Sequence, residues 1–492
     1  MKKRSIKSTI CIATLLLFYG CDKFLDIKPQ FTQDAENFFL TPVDYERGLI
    51  GAYDLLQSSF LTQWVGEIAS DNTIAGGESV TDTEGLHQID NMQHNAVNNE
   101  LRNIFRWNYA GITRVNFIMD NKDNIDFVGK DRVLAEARFL RAYYYFELVK
   151  YFGDVPLVID KTLGSEEVIQ QTRAPKSEVY EAIENDLIFA SQFLDWTSSD
   201  KGRVTKGASL ALLGKVYLYQ DKFSKATEAF ERVIQEGPYG LFNDYSTLFF
   251  LENENNLETV FDIEYSGAEG GSYECLICLE GNAAPGFQGI RQYKGPVYGN
   301  GNSYNLPTKE LYDAFDPADI RRDATVLCLD SFIAAQANPD DITYAKGGGG
   351  HTGYYNNKYI KRQGEIGLPD DDLTSPVNYR VIRFADVLLM AAEAHARSTS
   401  VNEDKARTYL NLVRTRVQQP DLNSSGQQLI LDIWKERRLE LSCEGHRFFD
   451  LVRTGQAKDF IIGFIPGKHE LFPIPQVEID LAGGSWAQNP NY

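Results

Sequence analysis

Residues 208–238 read ASLALLGKVYLYQDKFSKATEAFERVIQEGP. Leu213, Gly214 and Tyr217 come before the polar break, and Ala226, Phe230 and Pro238 after it. The apolar positions on both sides keep a helical period, so the stretch predicts two helices joined by a short turn. The small residues let the helices approach closely, Phe230 fills the gap between them, and Pro238 cannot continue the second helix. Val233 stands where a smaller alanine is usual.

These offsets are those of the tetratricopeptide repeat. Weaker copies lie on either side. EARFLRAYYYFELVKYFGDVP (136–156) supplies a first helix and KSEVYEAIENDLIFASQFL (176–194) its partner; FADVLLMAAEAHARS (384–398) pairs with EDKARTYLNLVRTRV (403–417) through Ala406, Leu410 and Val413. A fourth pair is expected from the helices near Tyr45–Leu56 and Leu101–Asp120, the first capped by Thr41 with Pro42 at its first position. Between Leu241 and Tyr379 the texture changes to glycine clusters and short strand-like runs (ETVFDIEYS, YECLICLEG, YYNNKYIKR), with one helix starting at Thr308. The predicted fold is predominantly α: four split tetratricopeptide-like helix pairs packed against an irregular, loop-rich half with a few short strands. The helical scaffold is expected over about 36–240 and 380–455, and the loop-rich insertion over about 241–379, in one domain spanning 21–492.

The first twenty residues read as an address. Lys2, Lys3, Arg4 and Lys7 precede an apolar run, Ile10 to Phe18, too short to span a bilayer. Gly20 and Cys21 follow as in a bacterial lipobox, which predicts cleavage before Cys21 and its acylation; ordinary cleavage to a soluble product is the alternative. No other apolar run approaches membrane length. The chain of 492 residues carries a formal net charge of −20, and the mature form −24, which disfavours nucleic acid as a partner. Aromatic residues are plentiful (Tyr 26, Phe 29, Trp 5), and rings in excess of the core make recognition surfaces. Cys275 and Cys278 form a CxxC without zinc-type companions; buried thiols or one structural disulfide account for the four cysteines beyond Cys21.

The segment 436–455, ERRLELSCEGHRFFDLVRTG, has the composition of an active site. Glu436, Glu440 and Glu444 fall on one face of a helix expected over Leu429–Glu444 with Gly445 as its stop. Arg437, Arg438, Arg447 and Arg453 are the obvious partners, and arginines hold carboxyl pKa values down, opposite to what a general acid needs. An ionic network within packed helices is therefore expected. HExxH, GxSxG and GxxxxGK[ST] are absent. No cofactor is expected; the acidic run Pro369–Leu373 lacks EF-hand spacing and reads as a solvated turn rather than a calcium site. His395 falls on a predicted helix and His351 in a loop after four glycines. What remains is recognition by two polar loops, 70–100 and 285–308, where amide, carboxylate, guanidinium and ring groups of the kind that hold sugars are gathered. The candidate ligand residues are Asp71, Asn72, His87, Asn98, Arg291, Tyr293, Tyr298 and Tyr304.

Several long motifs together resemble the SusD/RagB family of surface lipoproteins: CDKFLDIKP after the leader, AEARFLRAYYYFELVKYFGDVPLV, GRVTKGASLALLGKVYLYQ, RFADVLLMAAEAHA, ERRLELSCEGHRFFDLVRTG, LFPIPQVEID and the terminal QNPNY, where Asn491 replaces a usual glycine. The resemblance implies an all-α fold with four tetratricopeptide units. It also implies a non-enzymatic, outer-membrane protein anchored through acylated Cys21. Such a protein captures glycan at the cell surface and delivers it, as a lid, to a SusC-like TonB-dependent outer-membrane barrel. Asp71 stands where some relatives contact ligand. The family's usual binding-site tryptophans are not matched, since neither loop contains Trp. Binding of peptide, as in RagB-like members, and a surface glycosidase activity are the alternatives.

Overall fold

The computed structural model describes residues 38–365 and 373–492. The expected leader, Cys21 and, apart from Leu373, the acidic 369–373 turn lie outside those residues. The principal helices are α1 (Pro42–Asp54), α2 (Phe60–Ile68), α3 (Glu84–Asp90), α4 (Asn99–Asp120), α5 (Lys130–Phe152), α6 (Lys176–Phe193), α7 (Lys206–Leu218), α8 (Phe223–Glu236), α9 (Phe384–Arg397), α10 (Glu403–Arg416) and α11 (Gly426–Leu441). They pack in series: α1 on α4, α4 on α5, α5 on α6, α6 on α7, α7 on α8, α8 on α9, and α9 on both α10 and α11. The chain leaves this series after α8 and rejoins it at α9, with the loop-rich half between.

Local chemistry explains the helix boundaries. Thr41 and Asp44 form a reciprocal cap at the start of α1, with the Thr41 N–H 2.9 Å from the Asp44 carboxylate. The predicted crossing at Gly214 is tight: a Cβ there would sit 2.4 Å from the Phe230 ring, which is fully buried. Burying that ring contributes roughly 2–3 kcal/mol, and only glycine leaves room for it.

Strands are short and lie in two-stranded ladders. β1 (Thr73–Gly76) pairs antiparallel with β3 (Tyr304–Pro307), which ties together the two polar loops. β2 (Thr259–Ile263) pairs antiparallel with β4 (Tyr379–Arg383), so the loop-rich half is closed where it leaves and re-enters the helices. Three sequence expectations need correction. Residues 71–100 are not continuous loop, since β1 and α3 lie within them. The run SYECLICLEG is not a strand; it makes a 3₁₀ turn at Leu276–Cys278, where Cys275 and Cys278 are joined by a disulfide. α11 ends at Leu441 rather than Glu444, because Cys443 and Gly445 adopt left-handed φ of +69° and +91°.

The acidic face of α11 is buried, yet its partners are not the neighbouring arginines. Arg321 reaches Glu436 at 2.6 Å and Glu440 at 3.1 Å, Arg414 reaches Glu436 at 2.6 Å, and Arg383 binds both Glu440 and Glu444. Lys358 completes Glu444 at 2.6 Å. Burial alone would raise these carboxyls, but Arg416, Arg383 and Arg321 hold Glu440 well below the usual range. Arg437, Arg447 and Arg453 turn elsewhere, to Asp386, Asp71 and Glu393. Because Arg321 and Lys358 belong to the loop-rich half, the network fastens that half to the helices.

Candidate functional site

The β1–β3 ladder brings one end of each polar loop to the surface. Gly77 continues the pairing by donating to Ser303 O at 2.8 Å. The segment 344–351 then lies over this edge. Gly348 N–H donates to Glu78 O, and Cβ atoms at Gly347 and Gly349 would fall 2.0 and 2.1 Å from the carbonyl oxygens of Gly77 and Gly76. The four-glycine run therefore serves backbone-on-backbone packing.

Around this edge sit the polar groups. Arg291 pairs with the exposed Glu78 at 2.8 Å. Its backbone carbonyl accepts from Ala345 N–H at 2.9 Å. Tyr344 stacks on His351 with ring centroids 5.6 Å apart, and the His351 Nε2 lies 3.3 Å from the Tyr355 hydroxyl. Burial lowers the His351 pKa, so its ring is neutral at pH 7. Asp82 accepts from Glu78 N–H at 3.0 Å and hydrogen bonds to the Tyr304 hydroxyl, whose pKa is raised by burial and by that carboxylate.

Beneath the polar rim runs a column of rings. Phe60 meets Trp64 at 5.4 Å, Trp64 meets Phe287 at 5.2 Å, and Phe287 meets both Tyr304 at 6.0 Å and Tyr273 at 6.2 Å. Phe60, Trp64, Phe287 and Tyr304 are buried, whereas Tyr273 is 61% exposed. The buried aromatic column thus ends in a largely exposed ring. Rings of this kind can meet the apolar face of a ligand, and groups such as Glu78, Arg291 and Asp82 its polar edge.

The eight residues expected from sequence are distributed unevenly about this surface. Arg291 and Tyr304 belong to it. Asp71 and Asn72 lie beyond the opposite end of the ladder, roughly 13–17 Å away at strand rise, since Gly76 pairs with Tyr304 and Thr73 with Pro307. The Asp71 carboxylate is taken by Arg447 at 2.7 Å and Arg438 at 2.8 Å. Asn72 is fully buried between Glu67 and Arg438. Asn98 caps α4, accepting from the N–H groups of Glu100 and Leu101. His87 is buried on α3. Tyr293 and Tyr298 belong to a small apolar cluster, their hydroxyls donating to Pro296 O and Asn357 Oδ1. The surface also carries Glu78, Asp82 and Tyr344, and its aromatic column ends in Tyr273; none of these four was singled out from sequence.

Carboxylates with raised pKa values lie elsewhere. Burial pushes Glu67 and Asp262 up to about 7 and Asp90 up to about 6. Glu67 accepts from Gly445 N–H and Asn72, and Asp90 from Ala75 N–H, so both are enclosed by protein donors. Among the described residues no group of three or more His, Cys, Asp or Glu is arranged to hold a metal, and no helix is long and apolar enough to cross a membrane.

A helical stack carrying a loop-built face of rings and polar groups is suited to binding a ligand. The chain belongs to the SusD family. The SusD family profile matches residues 258–468, and a second, described as "Starch-binding associating with outer membrane", matches 23–218. A structure described as a laminarin-binding SusD-like protein is 33% identical, with a TM-score of 0.83 over 92% of this chain and 99% of that one. Surface glycan-binding protein A from Bacteroides thetaiotaomicron, solved with laminarihexaose, is 26% identical, with a TM-score of 0.81 over 92% and 100% of the two chains. SusD-like protein P2 of Formosa agariphila is 26% identical over the full length of both.

Proposed function

We propose that this chain is a surface lipoprotein that binds laminarin-type glycan without cleaving it and passes it to a SusC-like TonB-dependent outer-membrane barrel. The observation that carries the reading is a surface on which the Arg291–Glu78 ion pair and the Asp82–Tyr304 contact lie over an aromatic column that ends in the largely exposed Tyr273 ring. The laminarin named in one structural relative and the laminarihexaose bound in another support the ligand class. Cys21 provides the lipid anchor in this reading. Of the residues expected from sequence, Arg291 and Tyr304 contact or border the ligand. Asp71, Asn72, His87, Asn98, Tyr293 and Tyr298 hold the loops in place.

The test is isothermal titration of the protein, residues 22–492, with laminarihexaose, maltohexaose and an unrelated peptide. Laminarihexaose is expected to bind, and Tyr273→Ala to weaken it about tenfold, the loss of roughly 1.4 kcal/mol from one stacked ring. Equal binding by Tyr273→Ala removes the platform from the reading. Steady release of reducing ends from laminarin by purified protein overturns its non-enzymatic part.

A further inference from the structure

A cavity of about 310 Å³ lies between α4, the segment 156–171 and the C-terminal stretch around Trp486. None of its lining residues belongs to the loop surface described above. Its walls are apolar: Phe105, Tyr109, Ile112, Val158, Leu163 and Trp486. The polar groups in those walls are committed to the protein. The Tyr109 hydroxyl donates to Pro156 O at 2.7 Å, the Thr113 hydroxyl to Tyr109 O at 2.9 Å, the Asn116 amide to Val158 O at 2.9 Å and the Trp486 N–H to Gln171 O at 2.7 Å. An occupant therefore meets ring faces and aliphatic carbon, which suits a hydrocarbon and leaves sugar hydroxyls unanswered. The mouth has the opposite character. Arg106 and Lys161 line it and are exposed. Among the described residues neither has a carboxylate within ion-pair distance, and Arg106 donates to the Asn103 side chain at 3.3 Å. The acid beside them, Glu478, is taken by Arg102 at 3.2 Å. In a chain with 69 acidic and 49 basic side chains, two unanswered cations at one mouth give that mouth a local preference for an anion.

We propose that this cavity is a binding site for an anionic amphiphile with a single acyl chain: the chain fills the apolar walls and its carboxylate meets Arg106 and Lys161. The site is separate from the glycan surface and does not depend on that reading. The two parts of such a ligand do different work. Each methylene taken out of water raises affinity about fourfold, so the chain sets how tightly the ligand is held. Ion pairs exposed to solvent contribute up to about fivefold each, so the head sets which ligands are preferred.

The experiment is isothermal titration of residues 22–492 with octanoate, decanoate and decanol, each below its micelle or solubility limit. Decanoate is expected to bind about tenfold more tightly than octanoate, and about three- to tenfold more tightly than decanol. Arg106→Gln/Lys161→Gln should lower decanoate affinity by about three- to tenfold and leave decanol within about twofold. Leu163→Asp places a charge against the acyl chain at a half-buried position and should weaken decanoate and decanol about tenfold or more. The arginine and lysine are exposed, so the double variant keeps the test open should Leu163→Asp fail to fold. Absence of binding by both acids overturns the proposal, as does equal binding of octanoate and decanoate. Unaltered decanoate affinity in Leu163→Asp overturns the cavity as the site. Decanol binding as tightly as decanoate, or full decanoate affinity in the double variant, overturns the anionic head. Phosphatidylglycerol vesicles form the last arm: sedimentation with vesicles by a protein that takes no decanoate overturns the proposal in favour of a lipid surface.

Discussion

Arg321→Met removes one guanidinium from the centre of the buried ionic network and replaces it with apolar volume. Arg321 is fully buried and pairs with Asp319 at 2.7 Å, with Glu436 and with Glu440. The two glutamates retain other cations: Arg414 for Glu436, and Arg383 and Arg416 for Glu440. Asp319, itself buried, keeps only the Arg321 backbone N–H at 3.0 Å. Breaking a buried pair costs about 3–5 kcal/mol. Unfolding entropy for a chain of this length is about 1 kcal/mol per degree, so the melting temperature should fall by about 3–5 °C. Differential scanning fluorimetry at pH 7, with Arg322→Met as the surface control, measures it. The difference should shrink toward pH 4. In the variant the deserted carboxyls have raised folded-state pKa values, so the folded protein takes up protons first and gains relative stability as pH falls. In the wild type Glu440 is held low, so the stability it contributes is present above its unfolded value near 4.5 and is lost only as pH falls through its lower folded value. A shift no larger than that of Arg322→Met, or one independent of pH, refutes the view that this network fastens the two halves together.

Glu67 carries the opposite sign. Its folded pKa is raised to about 7, so stability is present below about 4.5 and is lost as pH rises to about 7. Urea midpoints of wild type should decline over that window, and Glu67→Gln should flatten the decline. Gly214→Val drives atoms into the Phe230 ring and should cost about 1–3 kcal/mol, read as a lower melting temperature with laminarihexaose affinity unchanged at 20 °C. Asn98→Ala removes the cap of α4 together with bonds to Gly85 O and Gln88, and should cost about 1–2 kcal/mol without altering ligand affinity at 20 °C. A selective loss of binding by Asn98→Ala would return that residue to the ligand surface.

The helical architecture was legible because its signals are local and repeated. The Thr41 and Thr308 caps and the apolar stripes act within a few residues of themselves, and the Gly214–Phe230 spacing within one helix–turn–helix. Ion pairing was legible as a kind and not as a pairing. Three glutamates on one face announce that cations must answer them, but Arg321, Arg383 and Lys358 lie 57 to 119 positions from Glu440 and come near only through the fold. The surroundings of the candidate ligand residues were hidden for the same reason. Asp71, Asn98 and Tyr298 have the chemistry of ligand contacts, yet buried loops consume such groups internally, because every enclosed amide, hydroxyl and carboxylate requires a partner. Tyr273 looked like part of a short strand, and a run of apolar residues around a CxxC reads the same in a pleat as in a turn closed by a disulfide.

The β2–β4 ladder sets the departure and return of the irregular half side by side, as the two posts of a gate. Everything from residue 264 to 378 is then a cassette hung on fixed posts, and a lineage could trade one binding face for another without disturbing the stack behind it. The trade has a condition written in charge. An incoming cassette must deliver a guanidinium where Arg321 stands and an ammonium where Lys358 stands, or it strands acids in the interior of its host. Diversity at the exposed loops and constancy at two inward-facing cations are therefore expected to travel together.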